Sequence, residues 1–277
     1  MSNQIETLAL KDLIDHDAVK VIDGSWALDG TDMHARFVED HIAGAQFFDL
    51  EAVTDRQTTL PHMAPTAEVF AAAVGRMGIS HTDHVVIYDR QGLFSAARVW
   101  WTFKLMGHEK VQVLRGGLPA WKAAGLAVTH RVSTAVSTIY SPHMHRENIT
   151  DLNRLYENLE NDAWLVLDAR PEARFEGRAA EPRPGLRAGH MPGARSLPSS
   201  CLIRDGALKP NDELRALLAE RGVADNRFVV TSCGSGVTAA ILSLALAETG
   251  HGKTALYDGS WAEWGQEILD TPVVTGP

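Results

Sequence analysis

The residues best suited to nucleophilic chemistry lie in one short loop, Cys233-Gly234-Ser235-Gly236-Val237-Thr238. A cysteine thiolate is a strong nucleophile, and two nearby glycines let the backbone turn tightly enough for successive amide N–H groups to surround an anion. Such surroundings lower the pKa of a cysteine thiol from about 8.5 into a range of roughly 3.5–7.5. We therefore predict that Cys233 is a reactive thiol rather than a buried structural cysteine.

The segments on either side of this loop predict how it is positioned. An apolar, β-branched run, Phe228 to Thr231, precedes the loop, and a segment rich in helix formers, Ala239 to Glu248, follows it. This order is typical of a buried strand that leads into a helix. In open α/β sheets, ligands bind beyond the carboxyl ends of the strands, where a helix N-terminus offers unpaired N–H groups to anions. The pattern therefore places Cys233 at a ligand-binding edge.

Three motifs of the first half recur in the second half at nearly constant spacing, between 143 and 149 residues. They are the strand patterns that end at Asp23 and Asp168, the His-x-x-Gly-Ala motifs that begin at His41 and His190, and the segments Gly116 to Trp121 and Gly259 to Trp264. One spacing shared by several motifs indicates an internal duplication. We expect an N-terminal domain over residues 1–130, a Ser- and Thr-rich linker over 131–148 and a C-terminal domain over 149–277.

Each half alternates short apolar runs with helical patterns, which predicts an α/β fold. Strands separated by helices imply right-handed crossovers and a mostly parallel sheet with helices on both faces. In the first half the pattern covers Val85–Tyr88, Ser95–Met106, Val111–Leu114 and Leu118–Ala124, and in the second half Phe228–Thr231, Thr238–Thr249 and Thr254–Tyr257.

The duplication also provides an internal control for the nucleophile. When the strand at Val85 is aligned with the strand at Val229, Asp89 takes the position of Cys233. The first domain therefore lacks a nucleophilic thiol, and we predict that only the second domain is catalytic.

Composition excludes several classes of protein. The chain has 277 residues, is 45% hydrophobic and 22% charged, and carries a net charge of −9, which argues against broad nucleic-acid binding. The N-terminus lacks the pattern of a signal peptide, and no apolar run approaches the length of a membrane span. Two cysteines, Cys201 and Cys233, cannot build a disulfide framework or a zinc ligand set. We expect a cytoplasmic protein without a membrane anchor.

The chain resembles the tandem form of the rhodanese superfamily along nearly its whole length. The resemblance rests on the cysteine loop and on three further motifs, Gly44-Ala45-Gln46-Phe47-Phe48-Asp49, Ser95-Ala96-Ala97-Arg98-Val99-Trp100-Trp101 and Tyr257-Asp258-Gly259-Ser260-Trp261. The loop looks like that of members that use 3-mercaptopyruvate, whereas members that use thiosulfate typically place Arg and Lys at the two positions after the cysteine. The resemblance implies two rhodanese-like domains, the second of which transfers sulfur.

The resemblance also assigns roles to individual residues. Cys233 matches the nucleophile that holds the transferred sulfur as a persulfide, and Ser235 matches a polar loop partner. His62 matches a histidine of a serine–histidine–acid relay, and Glu51 stands where the relay's carboxylate is usually Asp. The longer side chain of Glu51 leaves the geometry of the relay open. Within the same loop, the resemblance implies substrate contacts from Gly234, Gly236, Val237 and Thr238.

Three arginines match substrate-binding positions of the family. Arg174 and Arg183 match the pair that holds the substrate's carboxylate and keto oxygen, and Arg98 matches a first-domain arginine that faces the interdomain cleft. The implied reaction moves sulfur from 3-mercaptopyruvate to a thiol, such as a small thiol or thioredoxin, or to cyanide, and releases pyruvate. It requires neither a metal nor an organic cofactor.

Alternatives remain open from the sequence. A phosphatase or arsenate reductase also uses a strand, a cysteine loop and a helix, but its loop needs an arginine six residues after the cysteine, where this chain has Ala239. The other two alternatives are a sulfurtransferase that prefers thiosulfate and a non-enzymatic rhodanese-like binding module.

Simpler structural interpretations also apply to single residues. His62 is a surface histidine in this view, and Arg174 and Arg183 lie in a solvated loop. We interpret His41, His190 and Cys201 as structural, and the tryptophans as core or interface residues; these are Trp100, Trp101, Trp261 and Trp264.

Overall fold

The computed structural model describes residues 2–277 and divides the chain into two compact units. The first unit contains the chain up to Arg56, Ala64–His145 and Arg204–Leu208. The second unit contains Gln57–Met63, Arg146–Ile203 and Lys209–Pro277. Each unit therefore includes one short segment from the opposite half of the sequence.

The first unit alternates strands and helices. Its strands are β1 (Gln4–Ile5), β2 (Lys20–Asp23), β3 (His41–Ile42), β4 (Gln46–Phe47), β5 (Val85–Tyr88), β6 (Val111–Leu114) and β7 (Val128–Thr129). Its helices are α1 (Thr7–Asp15), α2 (Met33–Glu39), α3 (Ala67–Arg76), α4 (Ala96–Leu105) and α5 (Gly117–Ala123).

A parallel five-stranded sheet in the order β1-β6-β5-β2-β4 forms the centre of the first unit. Every residue of β5 is buried, as expected for a central strand that is covered on both faces. On one face Tyr88 packs in a core with Leu10 and Trp121. Elsewhere in this unit Phe70 packs edge-to-face against Phe103 and Tyr140. The predicted parallel sheet with helices on both faces is confirmed.

The predicted linker is ordered against the first unit in its central part. Thr138 N donates to the carbonyl of Gly75 at 2.9 Å, and its hydroxyl donates to the carbonyl of Ile79 at 2.8 Å. The Tyr140 side chain is buried. These contacts explain why the first unit extends to His145.

The chain continues with a 3-10 helix, Arg146–Asn148, and with the elements of the second repeat. The strands are β8 (Ile149–Thr150), β9 (Trp164–Asp168), β10 (Arg195–Ser196), β11 (Ile203–Arg204), β12 (Ala207–Leu208), β13 (Phe228–Ser232) and β14 (Thr254–Tyr257). The helices are α6 (Leu152–Glu157), α7 (Glu172–Phe175), a 3-10 helix over Ser199–Leu202, α8 (Asn211–Glu220), α9 (Ala239–Thr249) and α10 (Ser260–Trp264).

The main sheet of the second unit repeats the topology of the first. Its parallel strands lie in the order β10-β9-β13-β14-β8, so that β13 occupies the central place that β5 has in the first unit. The helix that follows β13 is α9, whose residues Ala239–Leu246 are all buried, because it is apolar on all sides. The predicted duplication of the fold is therefore present in the tertiary structure.

The paired histidines of the repeat have the same structural role in both units. His41 Nδ1 hydrogen-bonds to the carbonyl of Phe37 at 2.7 Å, and His190 Nδ1 does the same with Phe175 at 2.9 Å. Each imidazole also stacks on the ring of that phenylalanine, with ring centroids 4.0 and 3.7 Å apart. These contacts agree with the structural role predicted for both histidines.

Within residues 2–277, none of the helices combines the length and the apolar character needed to cross a membrane.

Candidate active site

The cysteine loop connects the end of β13 at Ser232 with the start of α9 at Ala239, as predicted. Cys233 therefore lies at the carboxyl end of the central strand and is only 2% exposed. Gly236 has a φ of 78°, a left-handed conformation that glycine adopts without steric cost. The loop thus depends on a glycine at this position to reverse its direction before the helix.

Hydrogen bonds from α10 fix the orientation of the first two peptide groups of the loop. Trp261 N donates to the Cys233 carbonyl at 2.9 Å, and Ala262 N donates to the Gly234 carbonyl at 2.8 Å. In a trans peptide the N–H points away from the C=O, so the amides of Gly234 and Ser235 point away from α10. Neither amide has a hydrogen-bond acceptor among residues 2–277. The loop thus presents unpaired donors that suit an anion.

The corresponding loop of the first unit already holds an anionic side chain. The Asp89 carboxylate accepts hydrogen bonds from the backbone N–H groups of Gln91, Phe94 and Ala96 at 2.9, 2.7 and 2.9 Å. Burial raises the pKa of Asp89, and these hydrogen bonds oppose the rise. Leu118 N donates to the Asp89 carbonyl at 2.9 Å, which matches the bond from Trp261 to Cys233. The two loops are therefore structural counterparts, and the first unit has a carboxylate in place of the thiol.

Ser235 and His62 are in contact. His62 Nδ1 lies 3.1 Å from Ser235 Oγ, and both residues are buried, at 5% and 6% exposure. His62 belongs to the segment Gln57–Met63, which is part of the second unit although it comes from the first half of the sequence. Its φ of 59° is uncommon for a residue other than glycine and occurs preferentially at functional sites. The interpretation of His62 as an ordinary surface histidine is wrong, because the imidazole is buried against Ser235.

Glu51 and Arg98 belong to the first unit. Glu51 is exposed, and its Oε1 accepts a hydrogen bond from Trp26 Nε1 at 2.7 Å. The Arg98 side chain is buried in α4, and its guanidinium lies 4.5 Å from the ring centroid of Trp101. The roles of Glu51 in a relay and of Arg98 in substrate binding stay predictions.

Arg174 lies beside the cysteine loop. It is on α7, and its Nη2 is 3.3 Å from the position that a Cβ would take on Gly234. Its guanidinium forms an ion pair with Glu181, and its Nε also donates to Glu181 Oε1 at 3.3 Å. The Arg174 side chain is 19% exposed, and within residues 2–277 its Nη1 makes no hydrogen bond.

Glu181 was not singled out from the sequence, although it lies two residues before Arg183. Its side chain is 1% exposed and also pairs with Arg170 Nη1 at 2.7 Å. Arg170 in turn pairs with Asp168 at 2.7 Å and lies 4.2 Å from the ring centroid of Trp261. Two arginines and two carboxylates thus form a buried network that holds Arg174 in place. The motif Asp168-Ala169-Arg170 at the end of β9 was the available signal for this network.

Arg183 lies in the loop after Glu181 and is half-buried. Within residues 2–277 it makes neither a hydrogen bond nor an ion pair. The pairing of Arg183 with Arg174 in a substrate clamp stays a prediction.

The remaining loop residues and the second cysteine differ in accessibility. Val237 is 3% exposed, whereas Gly234 and Thr238 are half-buried, so the loop offers the latter two to a ligand more readily.

Cys201 is free and exposed in the 3-10 helix Ser199–Leu202. The structural role predicted for Cys201 therefore does not come from packing in the core. Over residues 2–277, His, Cys, Asp and Glu side chains form no group that could hold a metal ion.

Comparisons with known proteins show which family the chain resembles. The sequence model of the family described as "Rhodanese-like domain" matches residues 6–124 and 151–267. A 3-mercaptopyruvate sulfurtransferase of Escherichia coli K12 is 41% identical over 270 residues, which cover 95% of each chain. A thiosulfate/3-mercaptopyruvate sulfurtransferase 1 of Arabidopsis thaliana, described as mitochondrial, is 38% identical over 92% of this chain and 73% of its own.

A solved structure shows the same similarity in three dimensions. The crystal structure of SseA from Escherichia coli, described with the rhodanese fold of 3-mercaptopyruvate sulfotransferases, aligns with a TM-score of 0.86 at 36% identity. The alignment covers 95% of this chain and all of the SseA chain.

Proposed function

The chain belongs to the tandem rhodanese family, among its 3-mercaptopyruvate sulfurtransferases, and from this premise we propose that it passes the sulfur of 3-mercaptopyruvate through a persulfide on Cys233 to a thiol or cyanide acceptor. The protein is thus an enzyme, a sulfurtransferase. Because the chain belongs to this family of enzymes, the phosphatase, arsenate reductase and binding-module alternatives no longer apply.

The observation that carries the proposal is the environment of Cys233. The thiol begins a loop whose Gly234 and Ser235 amides are unpaired, and the counterpart loop of the first unit binds the Asp89 carboxylate through three amides. A loop that binds one anion in this way supports the binding of a thiolate, and then of a persulfide, in its duplicate.

Substrate binding follows from the position of Arg174. Its planar guanidinium suits bidentate binding of a carboxylate, and partial burial strengthens such a bond relative to one in open solvent. The side chain lies beside Gly234, next to the nucleophile's own residue. Mercaptopyruvate bound to Arg174 through its carboxylate or keto oxygen brings its sulfur toward Cys233. We assign Arg183 to the same substrate anion.

The first chemical step is attack of the Cys233 thiolate on the substrate sulfur. A bond forms between the two sulfur atoms, the bond between carbon and sulfur breaks, and its electron pair leaves with the organic part as the enolate of pyruvate. Arginine and hydroxyl donors stabilise the negative charge that develops on the enolate oxygen. The product on the enzyme is a Cys233 persulfide that faces the loop amides.

The second step protonates the departing carbon. Ser235 and His62 are hydrogen-bonded at 3.1 Å in a buried environment, and such a pair delivers a proton by general acid catalysis. Pyruvate then leaves, and an acceptor thiol or cyanide attacks the outer sulfur of the persulfide and restores the Cys233 thiolate. Thioredoxin and small thiols are the acceptor classes we propose, and we retain the proposal of a cytoplasmic location.

Thiosulfate as the preferred donor is the second candidate. The Arabidopsis relative carries both donors in its name, which favours keeping this alternative. In this chain, however, Gly234 and Ser235 place no cationic side chain directly after Cys233. Thiosulfate is a dianion whose charge lies close to the transferred sulfur, so its negative charge is less well neutralised in a loop without such a cation.

Turnover of mercaptopyruvate and of thiosulfate with the same acceptor tests the proposal. We expect a higher kcat/KM for mercaptopyruvate and, without an acceptor, an added mass of about 32 Da on the Cys233 peptide, since the nucleophile retains one sulfur atom. A higher kcat/KM for thiosulfate supports the second candidate. Sulfur transfer without any added mass on Cys233 contradicts the persulfide.

A further inference from the structure

Ser260, the first residue of α10, has an uncommon backbone conformation. Its φ is 50°, in the left-handed region that disfavours residues with a Cβ, and the residue is fully buried. Strained residues of this kind persist where the surrounding structure requires them, and they concentrate at functional sites. The contacts of the Ser260 side chain therefore indicate why the structure keeps this conformation.

The Ser260 hydroxyl connects the nucleophile to the end of β14. Its Oγ accepts a hydrogen bond from the Cys233 backbone N–H at 3.2 Å and donates to the Tyr257 carbonyl at 2.9 Å. The donated hydrogen fixes the rotation of the hydroxyl, so that its lone pairs face Cys233. Ser260 thus holds the N–H of Cys233 while Trp261, the next residue, holds its carbonyl.

The first unit shows what this position looks like without a nucleophile. The equivalent residue there is Gly117. The equivalence follows from the next residue, since Leu118 N donates to the Asp89 carbonyl as Trp261 N does to the Cys233 carbonyl. Gly117 has a φ of 54°, close to that of Ser260. A Cβ on Gly117 would lie 2.3 Å from the Asp89 carbonyl oxygen, so this unit has no room for a side chain. The second unit has made room for one and retains a strained serine whose hydroxyl binds Cys233.

We propose that Ser260 is a positioning residue for the nucleophile, an inference that rests on the proposed role of Cys233. By binding the Cys233 N–H, the hydroxyl prevents rotation of the peptide group before the cysteine. The Cα–Cβ direction of Cys233 is then fixed relative to the loop amides and to a substrate beside Arg174. Small errors in the placement of a reacting atom cost a large part of the rate.

The test compares Ser260→Gly and Ser260→Ala with the wild type. Glycine removes the hydroxyl and relieves the strain, whereas alanine removes the hydroxyl and keeps the strain. We expect both variants to lower kcat for mercaptopyruvate by about 10- to 100-fold with KM within about twofold, because binding is unchanged and placement is lost. We also expect the Tm of Ser260→Gly to equal or exceed that of the wild type, while that of Ser260→Ala falls.

Ser243→Ala is the matched control. Ser243 is a buried serine of α9 in the same unit, and its hydroxyl bonds to Thr231 Oγ1 at 2.8 Å rather than to the loop. We expect this variant to lose stability but to keep its kcat within about twofold, since it leaves Cys233 in place.

A second measurement separates this inference from the proposed function. The alkylation rate of Cys233 by iodoacetamide, measured as a function of pH in a Cys201→Ser background, requires no sulfur transfer. We expect a slower rate in both Ser260 variants at every pH. Wild-type kcat and alkylation in Ser260→Gly would overturn the inference, and so would a loss in Ser260→Gly that Ser260→Ala does not share. If the wild type forms no persulfide, the proposed function fails while the alkylation result still decides the role of Ser260.

Discussion

His62 Nδ1 and Ser235 Oγ lie 3.1 Å apart, although the two residues are separated by 173 positions in the sequence. The contact joins a residue of the first sequence half to the cysteine loop within a single compact unit. Both side chains are buried, so their hydrogen bond is shielded from bulk solvent. The contact places a buried imidazole and a buried hydroxyl at the cysteine loop, where general acid catalysis needs them.

Substitution of this pair tests the proton relay. We expect Ser235→Ala and His62→Asn each to lower mercaptopyruvate turnover by about 100-fold, because both remove the general acid. The double variant should be no slower than the slower single variant, since the two residues act as one unit. Ser200→Ala, at an exposed serine in the same unit, is the control. Losses that multiply in the double variant would show that the two residues act independently.

Glu51→Gln tests the third predicted member of the relay. Glutamine keeps an oxygen that can accept from Trp26 Nε1 but removes the negative charge. If Glu51 supports His62 electrostatically, turnover falls and its pH profile shifts. An unchanged pH profile would contradict an electrostatic role of Glu51 in the relay.

Cys233→Ser and Cys201→Ser test which thiol carries the sulfur. We expect the first variant to lose transfer completely and the second to keep it, because only Cys233 is surrounded by loop amides and α10. Activity is measured with mercaptopyruvate and one thiol acceptor, and folding is checked by circular dichroism. Sulfur found on Cys201 in an active Cys233→Ser variant would remove the central assignment.

Arg174→Ala tests the substrate clamp. We expect kcat/KM for mercaptopyruvate to fall by about 1.5–3 kcal/mol in transition-state free energy, the usual range for a lost charged hydrogen bond. Arg174→Lys should recover only part of this loss, since an ammonium group cannot bind bidentately. Arg178→Ala is the matched control, because Arg178 lies in the same region but is exposed and pairs with Glu176. Arg183→Ala measures whether the second arginine contributes, and normal efficiency would support a solvated loop at that position.

The double substitution Gly234→Arg with Ser235→Lys tests how the loop selects its donor. Two cations after Cys233 should shift the ratio of kcat/KM toward thiosulfate, and each can contribute about 1–3 kcal/mol toward a partly desolvated anion. Mercaptopyruvate use should fall for two reasons. The hydrogen bond between Ser235 and His62 is lost, and a side chain at position 234 begins only 3.3 Å from Arg174 Nη2. An unchanged ratio would mean that residues outside the loop set the specificity.

His108 predicts a pH dependence of stability in the first unit. Its Nε2 donates to the Asp83 carbonyl at 2.9 Å, its Nδ1 lies 3.1 Å from Tyr140 Oη, and burial lowers its pKa to about 4. Between about pH 6.5 and this value the unfolded chain binds more protons than the folded one, so the free energy of unfolding falls as the pH falls. Above about pH 6.5 the contribution of neutral His108 to the free energy of unfolding is complete and amounts to about 1–3 kcal/mol.

The groups that face His108 include His81 and Lys104, which oppose its protonation, and Asp83, which favours it. His108→Gln keeps both hydrogen-bonding functions without a titrating group, and we expect a shallower pH dependence of its urea midpoint. The difference between variant and wild type isolates this residue from the carboxylates, and equal slopes would contradict the prediction.

The sequence by itself determined the repeated architecture and the nucleophile loop. The strands at Val85, Val111, Trp164 and Thr254 are short and apolar, and the helices between them have a strong local pattern, so neighbouring residues alone were sufficient to predict them. The alignment of Asp89 with Cys233 followed from the same local patterns, and matching hydrogen bonds to Leu118 and Trp261 support it.

Only the tertiary structure decided which distant groups meet at the loop. The segment Gln57–Met63 has no periodicity, and its place in the second unit depends on burial of His62 against Ser235. Glu181 lies in an irregular loop, and its role follows from pairing with Arg170 and Arg174. The conformation of Ser260 is set by hydrogen bonds to residues on other elements. These contacts depend on how strands and loops pack against one another in three dimensions, so the pattern within a single segment was not sufficient to predict them.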